Sequence, residues 1–197
     1  MKTILLKAEE RQSLGTKESK ALRSEGKVPC VMYGMGEPRH FAVYAADFTN
    51  LVYTPNVYKV QLDINGKQHN AILADLQFHP VSEVILHADF YEVDPNKAVL
   101  MNIPVQIEGN APGVRAGGKL VKKIAKLRVR GLIGNLPDAI PVNIDTLEIG
   151  QSVKVKDITV SGFEVLDAKE NAIVSCKITR AAMQAEQAAA AEAKGKK

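Results

Sequence analysis

The chain has 197 residues, 46% hydrophobic and 24% charged, with a formal net charge of +4 and a pI near 9.0. That is too apolar for a chain disordered throughout, and no apolar run is long enough to span a membrane. The cationic excess is mild, so any nucleic-acid surface has to come from local clustering; 5% aromatic residues without tryptophan argue against a surface built on base stacking.

The N-terminus, MKTILLKAEERQ, turns charged after a few apolar residues, too early for a secretory core, and a cytoplasmic chain is expected. Thr3 to Ala8 reads as a first strand. From Gly15 to Gly34 the stretch GTKESKALRSEGKVPCVMYG reads as a short helix passing through Gly26 into an apolar strand, Val28 to Tyr33. At about 100° per residue, Lys17, Lys20, Arg23 and Lys27 share about a third of the helical circumference. Such a face suits a polyanion, because each cation can neutralise a phosphate and release its counterions. It suits a solvated helix surface equally well.

Strand patterns follow at Arg39 to Tyr44, Val57 to Ile64, Lys67 to Leu76 and Glu83 to Val93. Asn65-Gly66, between two alternating arms, is the dipeptide of a type I′ hairpin. Ala45 to Tyr53, with Asp47 near its start and Phe48, Leu51 and Val52 apolar, predicts a short helix that ends before Pro55 and packs on the sheet. The Asp94-Pro95-Asn96 turn marks a joint. Beyond it, Ala98 to Glu108, Lys119 to Arg130, Ala139 to Ile144, Ser152 to Asp157 and Ala172 to Thr179 read as strands with no long helix between them. Residues 181–197 are alanine-rich and lack an apolar stripe, which predicts a flexible or helical tail. The fold class is therefore mainly β (α+β), divided into residues 1–94, residues 95–180 and the tail. Cys30 and Cys176 lie in separate apolar runs and are expected to be reduced core residues.

Gly113 to Lys119, GVRAGGK, has the glycine and lysine spacing of a phosphate loop, but Leu120 stands where a magnesium-binding hydroxyl belongs and a strand follows instead of a helix. A Gly-rich turn accounts for it. KLVKKIAKLRVR carries Lys122, Lys123, Lys126, Arg128 and Arg130; the last three alternate with apolar residues and predict a strand with one cationic face. A solvated face, a nucleic-acid contact or an acidic protein partner all fit that pattern. His87 and Asp89 share a strand face, with His79 placed nearby across a turn, yet no third ligand, nucleophile elbow or second acid–base pair accompanies them. No enzyme activity, metal, cofactor or small-molecule substrate is expected. The pair fits a structural role, or hydrogen bonds to base edges and ribose hydroxyls.

AEERQSLGTKESKALRSEGKVPCVMYG, LQFHP and LHADFYEVD, followed by PGVRAGGKL and LPDAIPVNIDTLEIGQSVKVKDI, occur in one order over nearly the whole chain. In these segments the sequence resembles the bacterial large-subunit ribosomal protein L-twenty-five, in the longer two-domain form also called the Ctc general stress protein. The resemblance implies an N-terminal β-barrel with short helices that binds 5S ribosomal RNA and a separate β-rich C-terminal domain; with KLVKKIAKLRVR in it, that domain is expected to touch large-subunit proteins or 23S ribosomal RNA. It carries the RNA-contacting pattern onto Arg11, Lys17, Ser19, Lys20, Arg23, Tyr33, Gln77, His87 and Asp89. Ala21 stands where many relatives are basic, which predicts weaker phosphate binding by this helix. A stress-related protein interaction module with little RNA binding is the competing reading. The RNA reading requires the cations of the helix to share one side with His87 and Asp89.

Overall fold

A computed structural model describes residues 1–158 and 162–179. The tail expectation lies outside these residues. The described residues form two compact units, Met1–Met101 with Arg130–Asp138, and Asn102–Val129 with the described residues from Ala139 onward.

The first unit is built on β1 (Lys2–Glu10), β2 (Lys27–Tyr33), β3 (Arg39–Tyr44), β4 (Tyr58–Ile64), β5 (Lys67–Phe78) and β6 (Ile85–Glu92), with helix α1 (Thr16–Ser24) between β1 and β2. The strands close into a barrel in the order β1-β3-β2-β6-β5-β4, with β4 returning parallel to β1. Closure leaves no free sheet edge. Alternation sends one set of side chains inward: Leu6, Val28, Met32, Phe41, Val43, Val60, Leu62 and Phe90 are buried together. Burying each such side chain stabilises the fold by about 1.5–3 kcal/mol. Phe48 and Leu51 close over this core, and the Phe48 ring lies 6.3 Å from that of Phe90.

The predicted helix from Ala45 to Tyr53 is a 3₁₀ turn, Ala45–Phe48, running into one α-helical turn, α2 (Thr49–Val52). That is length enough to bury two side chains. The hairpin forms as its dipeptide predicts, with φ of 52° at Asn65 and 83° at Gly66. An L side chain at Gly66 would hold a left-handed backbone, so Gly66→Ala is expected to cost about 1 kcal/mol, read as a lower denaturant midpoint at unchanged m-value.

In the second half, β7 (Ala98–Glu108), β9 (Lys126–Leu132), β10 (Ile140–Asn143) and β12 (Phe163–Val165) form a sheet ordered β10-β7-β9-β12. β8 (Lys119–Lys122), β11 (Ser152–Lys154) and β13 (Ala172–Lys177) form a second sheet ordered β11-β13-β8. The mainly β expectation holds. The single strand predicted from Lys119 to Arg130 does not: it breaks at Lys123–Ala125 and serves both sheets. The backbone N–H groups of Lys123 and Ile124 both donate to the Ile173 carbonyl, at 2.8 and 3.3 Å, which turns the chain out of β8 before β9 begins. The Gly-rich segment folds as one helical turn, α3 (Pro112–Arg115), and Lys119 opens β8 rather than a helix. Among the described residues no helix is long and apolar enough to cross a membrane.

Candidate nucleic-acid interface

The outer face of the barrel across β5, β6 and β2 collects four of the nine predicted residues, Tyr33, Gln77, His87 and Asp89. Its inward neighbours Ala88 and Phe90 are buried, so strand alternation turns His87, Asp89 and Tyr91 of β6 outward. Gln77 lies opposite His87 and Asp75 opposite Asp89. Two register shifts in β5, between Leu73 and Asp75 and between Gln77 and Phe78, re-phase that strand, and Gln77 comes to face the same way as His87. On the other flank, β2 runs parallel to β6 with Val31 beside Asp89 and Tyr33 beside Tyr91. The two tyrosine rings meet edge to face with centroids 6.0 Å apart.

Within this stripe, His87 Nδ1 lies 2.6 Å from Asp89 Oδ1, both side chains 29% exposed. An ionised carboxylate only accepts, so the imidazole proton sits on Nδ1 and Nε2 is left to accept from a hydroxyl or amine, or to donate once the ring is protonated. His79 is not part of this group. Its Nδ1 accepts the backbone N–H groups of Val81 and Ser82 at 3.3 and 3.2 Å, which makes it the organiser of the β5–β6 turn.

Helix α1 stands at the end of the same stripe. Arg23 Nε donates to the Leu86 carbonyl at 3.0 Å, one residue before His87. At the helix start, Arg11 Nη2 donates to Ser19 Oγ at 3.3 Å, and that hydroxyl donates to Gly15 O at 2.9 Å. Burial raises the Cys30 thiol far above its ordinary range; the Arg11 guanidinium opposes this and the Asp89 carboxylate reinforces it. Arg23 brings the C-terminal end of α1 beside the His87/Asp89 pair. Lys17 and Lys20 are exposed, with no ion pair among the described residues.

Lys27 leaves the cationic face that helical spacing assigns to it. It lies in β2, pairs with Glu9 and sits 5.0 Å from the centroid of the Tyr44 ring. The hydrogen bond to Glu9 raises its pKa. Sequence reasoning also passed over Asp75 and Tyr91. Tyr91 was within reach, since it continues the His87, Asp89 alternation by one more step of two.

The five cations singled out in KLVKKIAKLRVR, Lys122, Lys123, Lys126, Arg128 and Arg130, separate. Lys126, Arg128 and Arg130 alternate outward on β9 against buried Leu127 and Val129. Arg128 is tied to Asp167, its Nε 3.3 Å from Oδ1, and Lys122 Nζ donates to the Val105 carbonyl. Lys123, Lys126 and Arg130 are exposed and carry no ion pair among the described residues. Nor do the described residues hold any group of three or more His, Cys, Asp or Glu disposed to bind a metal.

The profile described as the Ribosomal L25p family matches residues 6–90, and that of the C-terminal domain of ribosomal protein TL5 matches residues 98–180. The Large ribosomal subunit protein bL25 of Bacteroides thetaiotaomicron is 48% identical over 180 residues, covering 91% of this chain and 92% of its own. The chain belongs to the ribosomal L25p family. The bL25 protein of Amoebophilus asiaticus is 43% identical over 197 residues, the full length of both chains, and that of Cytophaga hutchinsonii is 43% identical over 190 residues, 96% of this chain and 99% of its own. L25p proteins are structural ribosomal proteins rather than enzymes. The first profile spans both α1 and the His87/Asp89 pair, so the two halves of the candidate face belong to one L25p domain.

Proposed function

We propose that this protein is a structural constituent of the large ribosomal subunit in the cytoplasm and binds 5S ribosomal RNA through residues 1–94. One observation supports this above the others: α1, which carries the exposed Lys17 and Lys20, is hydrogen-bonded to β6 one residue from His87, so helix cations and edge-reading groups are brought close together. An RNA duplex offers such a face a wide, shallow minor groove lined with 2′-hydroxyls, flanked by phosphates. Lys17 and Lys20 take phosphates. Tyr33, Gln77, His87 and Asp89 supply hydrogen-bonding groups for ribose hydroxyls and base edges, and Arg11, Ser19 and Arg23 complete the face beside them. On this reading the second domain, within residues 95–180, meets large-subunit proteins or 23S ribosomal RNA, with Lys123 and Lys126 as exposed cations of its unit and Arg130 at the end of the same strand.

The test is a titration of 5S ribosomal RNA with the full chain at several salt concentrations. Two to four phosphate contacts should give a log–log slope of about −2 to −4. Asp89→Asn should weaken binding with the slope nearly unchanged, because it removes a hydrogen-bonding arrangement and no cation. Equal affinity for 5S RNA and for an unrelated duplex of the same length would overturn the reading.

A further inference from the structure

We infer that Arg11 and Arg23 are positioning residues that dock helix α1 on the barrel, so that Lys17 and Lys20 meet the RNA in a fixed place; this rests on the RNA-binding reading of the face. The helix has little else to hold it. Its nine residues include no buried side chain, and no side chain caps its start. A helix this short is marginal in water on its own propensity. Leu22 is half-buried, a small apolar anchor for a helix that has to present two exposed cations.

The two arginines hold this helix at two separate points, Arg11 at Ser19 in its first half and Arg23 at its C-terminal end. Arg11 is not displayed as a surface cation: its Nε is buried without a hydrogen-bond partner, its backbone N–H donates to His40 O at 3.0 Å, and Nη2 reaches Ser19 Oγ. Ser19 Oγ passes the connection on to Gly15 O, the residue that starts the helix. Arg23 reaches across 63 residues of sequence to the Leu86 carbonyl with its Nε–H. A planar guanidinium holds direction at such a bond, and an ammonium on a flexible stem does not. Ser19 is therefore the acceptor through which Arg11 acts.

Charge-preserving variants separate docking from phosphate contact. In the free full-length protein, Arg11→Lys, Ser19→Ala and Arg23→Lys should each raise hydrogen exchange of the α1 amides about fivefold or more while barrel amides keep their protection. Each should weaken 5S RNA binding about fivefold with an unchanged salt slope. The Arg11→Lys/Ser19→Ala double variant should bind no worse than either single one, because both remove the same link. Additive losses in the double variant, or unchanged α1 exchange in all three, would overturn the proposal and leave Arg11 as a direct contact. Absence of 5S binding by the unaltered chain would sink the RNA reading alone; the exchange measurements would still decide whether the arginines dock the helix.

Discussion

Replacing Lys17 and Lys20 together by alanine is expected to weaken 5S RNA binding about a hundredfold at low salt and to flatten the log–log salt dependence by about 1.8. The magnitude follows from two charge-assisted contacts of roughly 1.4 kcal/mol each, tenfold apiece. Both side chains are exposed, neither has an ion pair among the described residues, and their spacing of three puts them on one helical face. Lys27→Ala is the informative control. Lys27 belongs to the same cationic stripe by sequence, but its charge is matched by Glu9 in the fold, so its removal should leave the slope unchanged. A similar flattening by Lys27→Ala would mean that the slope reports overall charge rather than contacts at α1.

The contrast between Lys20 and Lys27 also shows what sequence reasoning can reach. Local periodicity carried the barrel strands, the Asn65-Gly66 hairpin and the shared face of His87 and Asp89, because each depends on residues a few positions apart. Partners chosen across the fold stayed hidden. Glu9 takes Lys27 out of the helical face from the first strand, and the Leu86 carbonyl that receives Arg23 lies in the last strand of the barrel. The break in the run from Lys119 to Arg130 has the same origin, since the Ile173 carbonyl that turns the chain comes from β13. Alternation predicts a strand on either side of that break but cannot see the acceptor that divides them. The register shifts of β5 are a further case: simple period-two counting through Ala74 would put Gln77 on the wrong face.

Gly118→Ala is expected to destabilise the second unit by about 3 kcal/mol, at the upper end of the usual cost of overpacking. A Cβ there would stand 2.6 Å from the Gly113 carbonyl oxygen and 2.6 Å from Cys176 Sγ. The carbonyl cannot retreat, because it accepts the Gly118 N–H at 2.9 Å and closes the turn. Gly113 is confined in the same way, its own Cβ position 2.7 Å from the backbone of Glu148 and Ile149. Gly134→Ala provides the comparison, since nothing lies within 4 Å of the added atom, and its effect should stay within about 0.5 kcal/mol. Removing the sulfur obstacle with Cys176→Ala should reduce the cost of Gly118→Ala without abolishing it, a coupling that a double-mutant cycle of denaturant unfolding measures directly. Tight packing against Cys176 thus explains glycines that the sequence spaces like a phosphate loop. If Gly118→Ala proved as mild as Gly134→Ala, that explanation would fail, and a thermal shift with magnesium nucleotide would become the next measurement to make.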